Sequence, residues 1–226
     1  MGTQNVDNVN MEEKSYHHGN LRAALIEAAL AALARSDTAD ALSLRAIARE
    51  VGVSANAAYR HFADKEALLN ALAAEGFRRF AAHQAQTHAQ AQRQHAAPKE
   101  VRAASGKAYV HFARDNPALF RLMFGRMVSQ NIHDSANEEL QQMGTFAFQG
   151  LLQATAQENG TPPDSEQTLL MAIARWGLVH GLSHLMLDGQ LASFGSDVDQ
   201  IIDGVFKLKL SEPEAHPGRP PSKARS

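Results

Sequence analysis

Cysteine is absent from the 226-residue chain, which excludes disulfides, thiolate metal sites, cysteine nucleophiles and thiol redox sensing together. Aromatic residues are scarce at 6%, with a single Trp, and β-branched alternation is almost missing, which argues against a sheet. Long apolar runs are missing too. The most apolar stretch, between Arg175 and Asp188, offers twelve uncharged residues where a membrane span needs ~20. Residues 1–10 are polar and lack the apolar core of a secretion signal, so a soluble, cytoplasmic protein without a membrane partner is expected. Paired carboxylates on one helical face, a Gly-rich phosphate loop and a nucleophile–His pattern do not occur, which argues against an enzyme. The net charge of −2, taken over the whole chain, argues against a general nucleic-acid binder.

Ala, Leu, Gln, Glu and Arg dominate what is present, and all are good helix formers. An all-α fold of about nine helices is expected. The length suggests one core plus a small appended module, taking ~150 residues as a typical domain. Residues 1–15 and 211–226 read as disordered extensions, the latter carrying Pro213, Pro217, Pro220 and Pro221. Between them, residues 16–80 form a compact N-terminal module and 81–98, rich in Ala, Gln and His, a helix extension and linker. Residues 99–210 form a larger helical domain. Apolar spacing and caps place helices from Leu21, with Asn20 as cap, at 43–50, 54–60 and from Asp64 onward. Further helices are expected at 99–115, 117–124, 135–157, 164–187 and 196–210.

Charge resolved by segment changes the nucleic-acid argument. Residues 14–80 hold nine Lys/Arg against seven Asp/Glu, while the first thirteen residues hold three acids and no base. Within 41–62, Arg45, Arg49 and Arg60 stand against Glu50 alone, with His61 beside them. That stretch reads as a helix-turn-helix. Leu44, Ile47, Ala48 and Val51 make the buried stripe of its first helix, and Gly52 ends it because the turn needs positive φ. Ser43 and Ser54 are positioned to cap the two helices, Val53 packs the turn, and small Ala57 and Ala58 allow close approach. Such a pair offers the second helix's N-terminus to a DNA major groove.

The order Ile47-Ala48, Val51-Gly52-Val53-Ser54, Tyr59, His61-Phe62, Asp64-Lys65 and Leu68-Leu69 resembles the N-terminal domain of TetR-family transcriptional regulators. Tyr16-His17-His18-Gly19-Asn20-Leu21 resembles one branch of that family. One departure stands out: Ala55-Asn56 occupies a place where many members carry Gly, so base readout is this chain's own. Ser54, Ala55, Asn56 and Ala57 fall at the tip of the recognition helix. Asn56 alone there can make a bidentate base contact, which geometry favours with adenine; its alternative is a bond to its own backbone. Tyr59 and His61 resemble phosphate contacts of the family, or else pack as spacers. Lys65 lies in the first turn of a helix, where a cation is unfavourable for helix stability and an anionic partner would explain it. Ser43 and Arg45 are candidate backbone anchors, or a plain cap and an exposed charge.

The second region resembles the family's ligand-binding and dimerisation domain. The branch with a Trp-x-x-x-His-Gly motif is matched by Arg175-Trp176-Gly177-Leu178-Val179-His180-Gly181-Leu182 and by Asn116-Pro117 through Phe124. Gly177 and Gly181, four apart on one face, permit close helix approach, and with His184 they are the candidate dimer seam. An intrachain crossing is the alternative. Phe112, Phe120, Met123, Phe124, Met127, Phe146, Phe148, Met171, Trp176 and His180 are candidates for lining a small-molecule pocket, or simply core. His180 and His184 have metal-ligand spacing, with His111 or His133 as conjectural third ligand, but no His-Glu-x-x-His pattern supports this and no metal or cofactor is expected. The resemblance implies a homodimeric repressor bound to a palindromic double-stranded DNA operator and released by a small-molecule effector. A ligand-independent regulator or activator fits the same residues, and an all-α enzyme or metal-dependent His protein is the competing class.

Overall fold

A computed structural model describes residues 21–36, 38–127, 138–195 and 197–208. The expected disordered ends at 1–15 and 211–226, the Asn20 cap, the 16–20 motif and His133 lie outside these residues, as does the side chain of Met127. The described residues hold nine α-helices and no strand: α1 (Leu21–Ser36), α2 (Leu44–Val51), α3 (Ala55–Tyr59), α4 (Lys65–Arg93), α5 (Pro98–Asp115), α6 (Pro117–Met127), α7 (Glu138–Asn159), α8 (Glu166–Leu187) and α9 (Val198–Lys207). Two short 3₁₀ turns, Ala39–Ala41 and Leu191–Phe194, are additional. Neither has an apolar period long enough to be read from sequence.

Local chemistry explains most boundaries. Ser54 Oγ accepts from the Ala57 N–H (3.2 Å), Asp64 Oδ1 from Ala67 (2.8 Å) and Ser165 Oγ from Thr168 (3.2 Å). Gly52 stops α2 at φ 82°, in the left-handed region where its N–H reaches the Ala48 and Arg49 carbonyls. Ser43 departs from expectation. It occupies the cap position, but its hydroxyl makes no cap bond, and its carbonyl accepts the first helical N–H, from Ile47 (3.0 Å).

The core is continuous from the N-terminal module into the larger region, because α4 runs 29 residues and serves both. Its first half buries Leu68, Leu69 and Leu72 against α1 and α2, and Phe77 and Phe80 continue the same packing against α5 and α6. Residues 81–93, expected as an extension, are the last turns of this helix; only Gln94–Ala97 connect it to α5. A Cβ on Gly76 would fall 2.6 Å from Met123 Sδ, and Met123 is wholly buried. Gly106 similarly lies under the Phe206 ring, seating α9 on α5. At both glycines a second helix of the chain packs closely. A Cβ at Gly177 or Gly181 would meet nothing within 4 Å, so their face is open.

Ion pairs tie the module to the body. Glu27, Arg79, Glu75, Arg78, Glu139 and Arg22 form an alternating chain across α1, α4 and α7, with Arg78–Glu139 at 2.8 Å and Arg22–Glu139 at 2.6 Å. Arg126 at the end of α6 pairs with Glu66 at the start of α4, which lowers the Glu66 pKa. Each exposed pair contributes at most ~1 kcal/mol, so the apolar α4 face dominates.

Gly76→Val should lower unfolding free energy by ~2 kcal/mol, because Met123 has no space to retreat into. Gly125→Ala, on an open face of α6, should instead gain ~0.5–1 kcal/mol from helix propensity. Urea unfolding of the two variants beside the parent measures both signs.

Candidate nucleic-acid interface and aromatic cluster

The helix-turn-helix folds around its predicted stripe: Leu44, Ile47, Ala48, Val51 and Ala58 are buried, and Val53 packs against the same core. That packing turns the other faces outward. Ser43, Arg45, Ser54, Asn56, Tyr59 and His61 are exposed, and Ala55, Ala57 and Lys65 are half-buried. Tyr59 keeps 41% of its surface accessible, unusual for a large ring on a five-residue helix. The nine residues are thus brought onto one small module around α3. His61 also borders a cleft of about 190 Å³ with Arg22, Phe62, Asn70 and Glu139, at the join with α7. Arg22 stacks its guanidinium over the Phe62 ring at 5.5 Å, steadying the end of the motif.

Charge on the module is divided. Arg22, Arg35, Arg78 and Arg79 are all paired with carboxylates, Arg35 with Glu50 at 3.1 Å. Arg45, Arg49 and Arg60 have no carboxylate partner among the described residues. Arg45 and Arg49 stand one turn apart on α2, and Arg60 follows α3. Arg49 and Arg60 were counted in the basic stretch 41–62 but not named as contacts from sequence, where every surface arginine looks alike until its partners are known. Lys65 has an intrachain partner: its Nζ donates to the Asp40 carbonyl at 2.7 Å. That bond ties α4 to the 3₁₀ turn before α2 and itself accounts for a lysine in the first helical turn. The ammonium retains two further N–H donors.

In the body, side chains from α4, α5, α6, α7 and α8 converge on Tyr109. Its ring meets Phe80 (5.1 Å), Phe120 (5.8 Å) and His180 (6.3 Å) edge-on. Phe124 lies 4.6 Å from His180, and Trp176 5.9 Å from Phe148. The Trp176 Nε1–H donates to Tyr109 Oη at 3.2 Å, and Tyr109 Oη lies 2.9 Å from His180 Nδ1. Burial pushes the Tyr109 phenol well above its ordinary range. His180 is shifted down, by burial first and by neighbouring His184 second, so the group favours its neutral form.

The expected pocket residues separate here. Phe120, Phe124, Trp176 and His180 share this cluster, and Met123 is buried beside it. Phe112 packs behind, on Phe80 (5.4 Å). Phe146 does not join: it is 62% exposed and borders an open groove along α7 with Met143 and Gln149. Met171 lies on α8, half-buried and more than a turn before Trp176. His184 also departs from expectation. Its ring packs on His180 (4.7 Å) and Phe120 (5.8 Å), on the inner side of α8, whereas Gly177 and Gly181 face outward. Residue 184 is three and seven positions from 181 and 177, so it sits at the edge of their face, and its side chain leans from there onto Phe120 and His180. Among the described residues no group of three or more His, Asp or Glu comes together as metal ligands. Tyr109 was missed from sequence, since nothing local marks one Tyr among the apolar residues of α5.

Tyr109→Phe removes the hydroxyl that joins Trp176 and His180. Unfolding free energy should fall by ~1–3 kcal/mol, the cost of stranding partly buried polar groups, in chemical denaturation.

Known proteins carry the same architecture. Residues 25–72 match the family described as "Bacterial regulatory proteins, tetR family", and residues 102–207 match "Tetracyclin repressor-like, C-terminal domain". A Rhodococcus sp. RHA1 protein of unknown function is similar in structure, at 29% identity and a TM-score of 0.69, covering 86% of this chain and 95% of that one. Two regulators share the fold. The TetR family transcriptional regulator PfmR from Thermus thermophilus is 16% identical with TM-score 0.55 (81% and 95% covered). A tetR-family regulatory protein from Rhodococcus RHA1 is 23% identical with TM-score 0.51 (82% and 93% covered). No curated protein sequence matches the chain. With the helix-turn-helix and the helical body each matched in chain order, the protein belongs to the TetR family and is a DNA-binding transcriptional regulator.

Proposed function

We propose that the protein is a homodimeric repressor that binds a palindromic operator and leaves it when a small molecule enters the helical body. The observation that carries this reading is the outer face of α8. Leu170, Ile173, Ala174, Gly177, Leu178, Gly181 and Leu185 line it, all apolar or glycine, and nothing within the chain approaches the two glycines. By length and composition α8 is apolar enough to cross a membrane, a property the count of uncharged residues after Arg175 understated. Arg175, in mid-helix, bonds to Thr155 and Glu158, and Thr168, Ala172, Leu182 and Ser183 are buried inward. A helix closed inward by polar bonds and open outward through apolar and glycine positions suits a twofold pairing of α8 with its copy. Such a dimer offers two α3 helices to successive major grooves ~34 Å apart.

At each half-site, Asn56 reads a base, most favourably adenine, flanked by the Ala55 and Ala57 methyls and Ser54. Ser43, Arg45, Tyr59 and His61 hold phosphates, with Lys65 adding its remaining donors. The aromatic cluster is where the effector acts, since it links α4, which leads from α3, to α8 at the dimer seam. An effector releases DNA only through its differential affinity for the two dimer geometries. The fold and family point to a regulator rather than an all-α enzyme.

Two measurements test this. The parent should sediment at twice the chain mass. Gly181→Arg, whose Cβ would meet no described atom within 4 Å, should sediment as a monomer and lose ~100-fold in affinity for a selected duplex as avidity disappears. A Gly181→Arg variant that stays dimeric and binds DNA normally rules out the α8 seam. Separately, Tyr59→Ala/Lys65→Ala should weaken binding across sequences and flatten the salt dependence by about one unit of slope for each phosphate no longer held. Asn56→Ala should cost ~1–3 kcal/mol at a single base pair. Unchanged binding in the double variant removes both residues from the interface.

A further inference from the structure

We propose that Arg49 and Arg60 each hold a backbone phosphate of double-stranded DNA, extending the interface from the tip of α3 along one flank of α2. The inference rests on the reading of α3 as the recognition helix and adds two contacts which that reading does not contain.

Pairing separates the cations of the N-terminal module. Arg22, Arg35, Arg78 and Arg79 are each bonded to a carboxylate. Lys65 is half-buried and donates to the Asp40 carbonyl at 2.7 Å. Arg45, Arg49 and Arg60 are exposed, and their side chains make no hydrogen bond, ion pair or ring contact among the described residues. The chain carries 24 Asp and Glu against 22 Lys and Arg, so a shortage of acids does not explain three bare guanidiniums on one small module.

Helix geometry places these groups together. Arg45 and Arg49, four residues apart, share one flank of α2 beside the buried stripe of Leu44, Ile47, Ala48 and Val51. Glu50, the acid of that helix, falls on the other flank, where Arg35 holds it at 3.1 Å. Arg60 closes α3 in helical geometry (φ −71°, ψ −22°), and its N–H donates to the Asn56 carbonyl at 3.3 Å. It therefore stands one turn beyond Asn56 on the same outer face, while Ala58 turns inward.

The partner is an anion. A cation in the last turn of a helix, such as Arg49, suits the helix dipole by itself, but Arg45 in the first turn does not. An anion lying along this flank accounts for both. A guanidinium offers a planar fork of N–H donors that fits a phosphate. Neither Arg49 nor Arg60 is at the tip of α3 that reaches base edges, so the sugar–phosphate backbone bordering the groove is what they meet.

The test is the salt dependence of DNA binding by the full-length protein, read by fluorescence anisotropy on a mixed-sequence duplex and on a selected one. Log affinity falls against log salt with a slope of about −0.9 for each phosphate neutralised. Arg49→Gln and Arg60→Gln should each flatten that slope by ~1 per bound chain, equally on both duplexes. Arg49→Lys and Arg60→Lys, which retain the charge, should keep it. Arg93→Gln is the control of equal charge change. Arg93 is exposed at the far end of the 29-residue α4, ~40 Å from its start and well beyond the screening length, so the slope should not move. Thermal unfolding at the parent's midpoint reports that each variant is folded. The inference is overturned if either Gln variant keeps the parental slope, or if Arg93→Gln flattens it as much. A loss confined to the selected duplex also overturns it, because the residue would then be reading a base. Failure of the underlying reading looks different: flattened slopes in a protein that binds both duplexes alike uphold the phosphate contacts and defeat the operator-reading role of α3.

Discussion

Everything in this molecule leans on the inner face of α4. Its N-terminal half closes the helix-turn-helix by burying Leu68, Leu69 and Leu72, and its middle seats Met123 and the Phe124 ring against Gly76 and Phe77. Because one unbroken helix carries both contacts, the head and the body share a core instead of meeting across a separate interface. Close packing leaves little slack between α4 and α6. The close Gly76–Met123 approach lies between the aromatic cluster and the helix-turn-helix.

Electrostatics are arranged around the same helix with a different purpose. Four arginines of α1 and α4 are engaged by carboxylates, and Glu139 brings α7 into that chain. Arg45, Arg49 and Arg60 of the helix-turn-helix have no carboxylate partner among the described residues. An overall charge of −2 is therefore compatible with DNA binding, since the balance is struck by pairing and not by scattering. What phosphates sense at close range is the local, unpaired charge, because distant charges are screened within ~8–10 Å.

The body solves the opposite problem. Around Tyr109 the polar groups are neutral, joined head to tail, and enclosed by rings. Burial raises the phenol's pKa and lowers that of His180, so both groups favour their neutral forms.

Much of this was legible in the chain. The helical class follows from composition, and the helix-turn-helix from the buried stripe, Gly52 and the Ser54 cap, because those signals act within one or two turns. The exposed tip of α3 followed from the same local pattern, as did the Asp64 cap. Other features required distant residues to be brought together. Ser43 looks like Ser54 in sequence, but only one hydroxyl caps. Lys65 looked unpaired until Asp40, 25 residues away, presented its carbonyl. Gly177 and Gly181 drew attention by their spacing, whereas Gly76 and Gly106, where helices of the same chain approach, gave no local signal. Phe146 stands exposed and His184 leans onto Phe120 and His180, placements that residue type and spacing do not reveal. Tyr109 became central only through partners 67 and 71 positions away. The sequence by itself determined where helices begin, end and bury a stripe, since those are short-range balances of capping and apolar period. Which cations stay unpaired, which glycines are crossed and which rings share a cluster were decided by tertiary structure, because each depends on a partner that chain order does not place nearby.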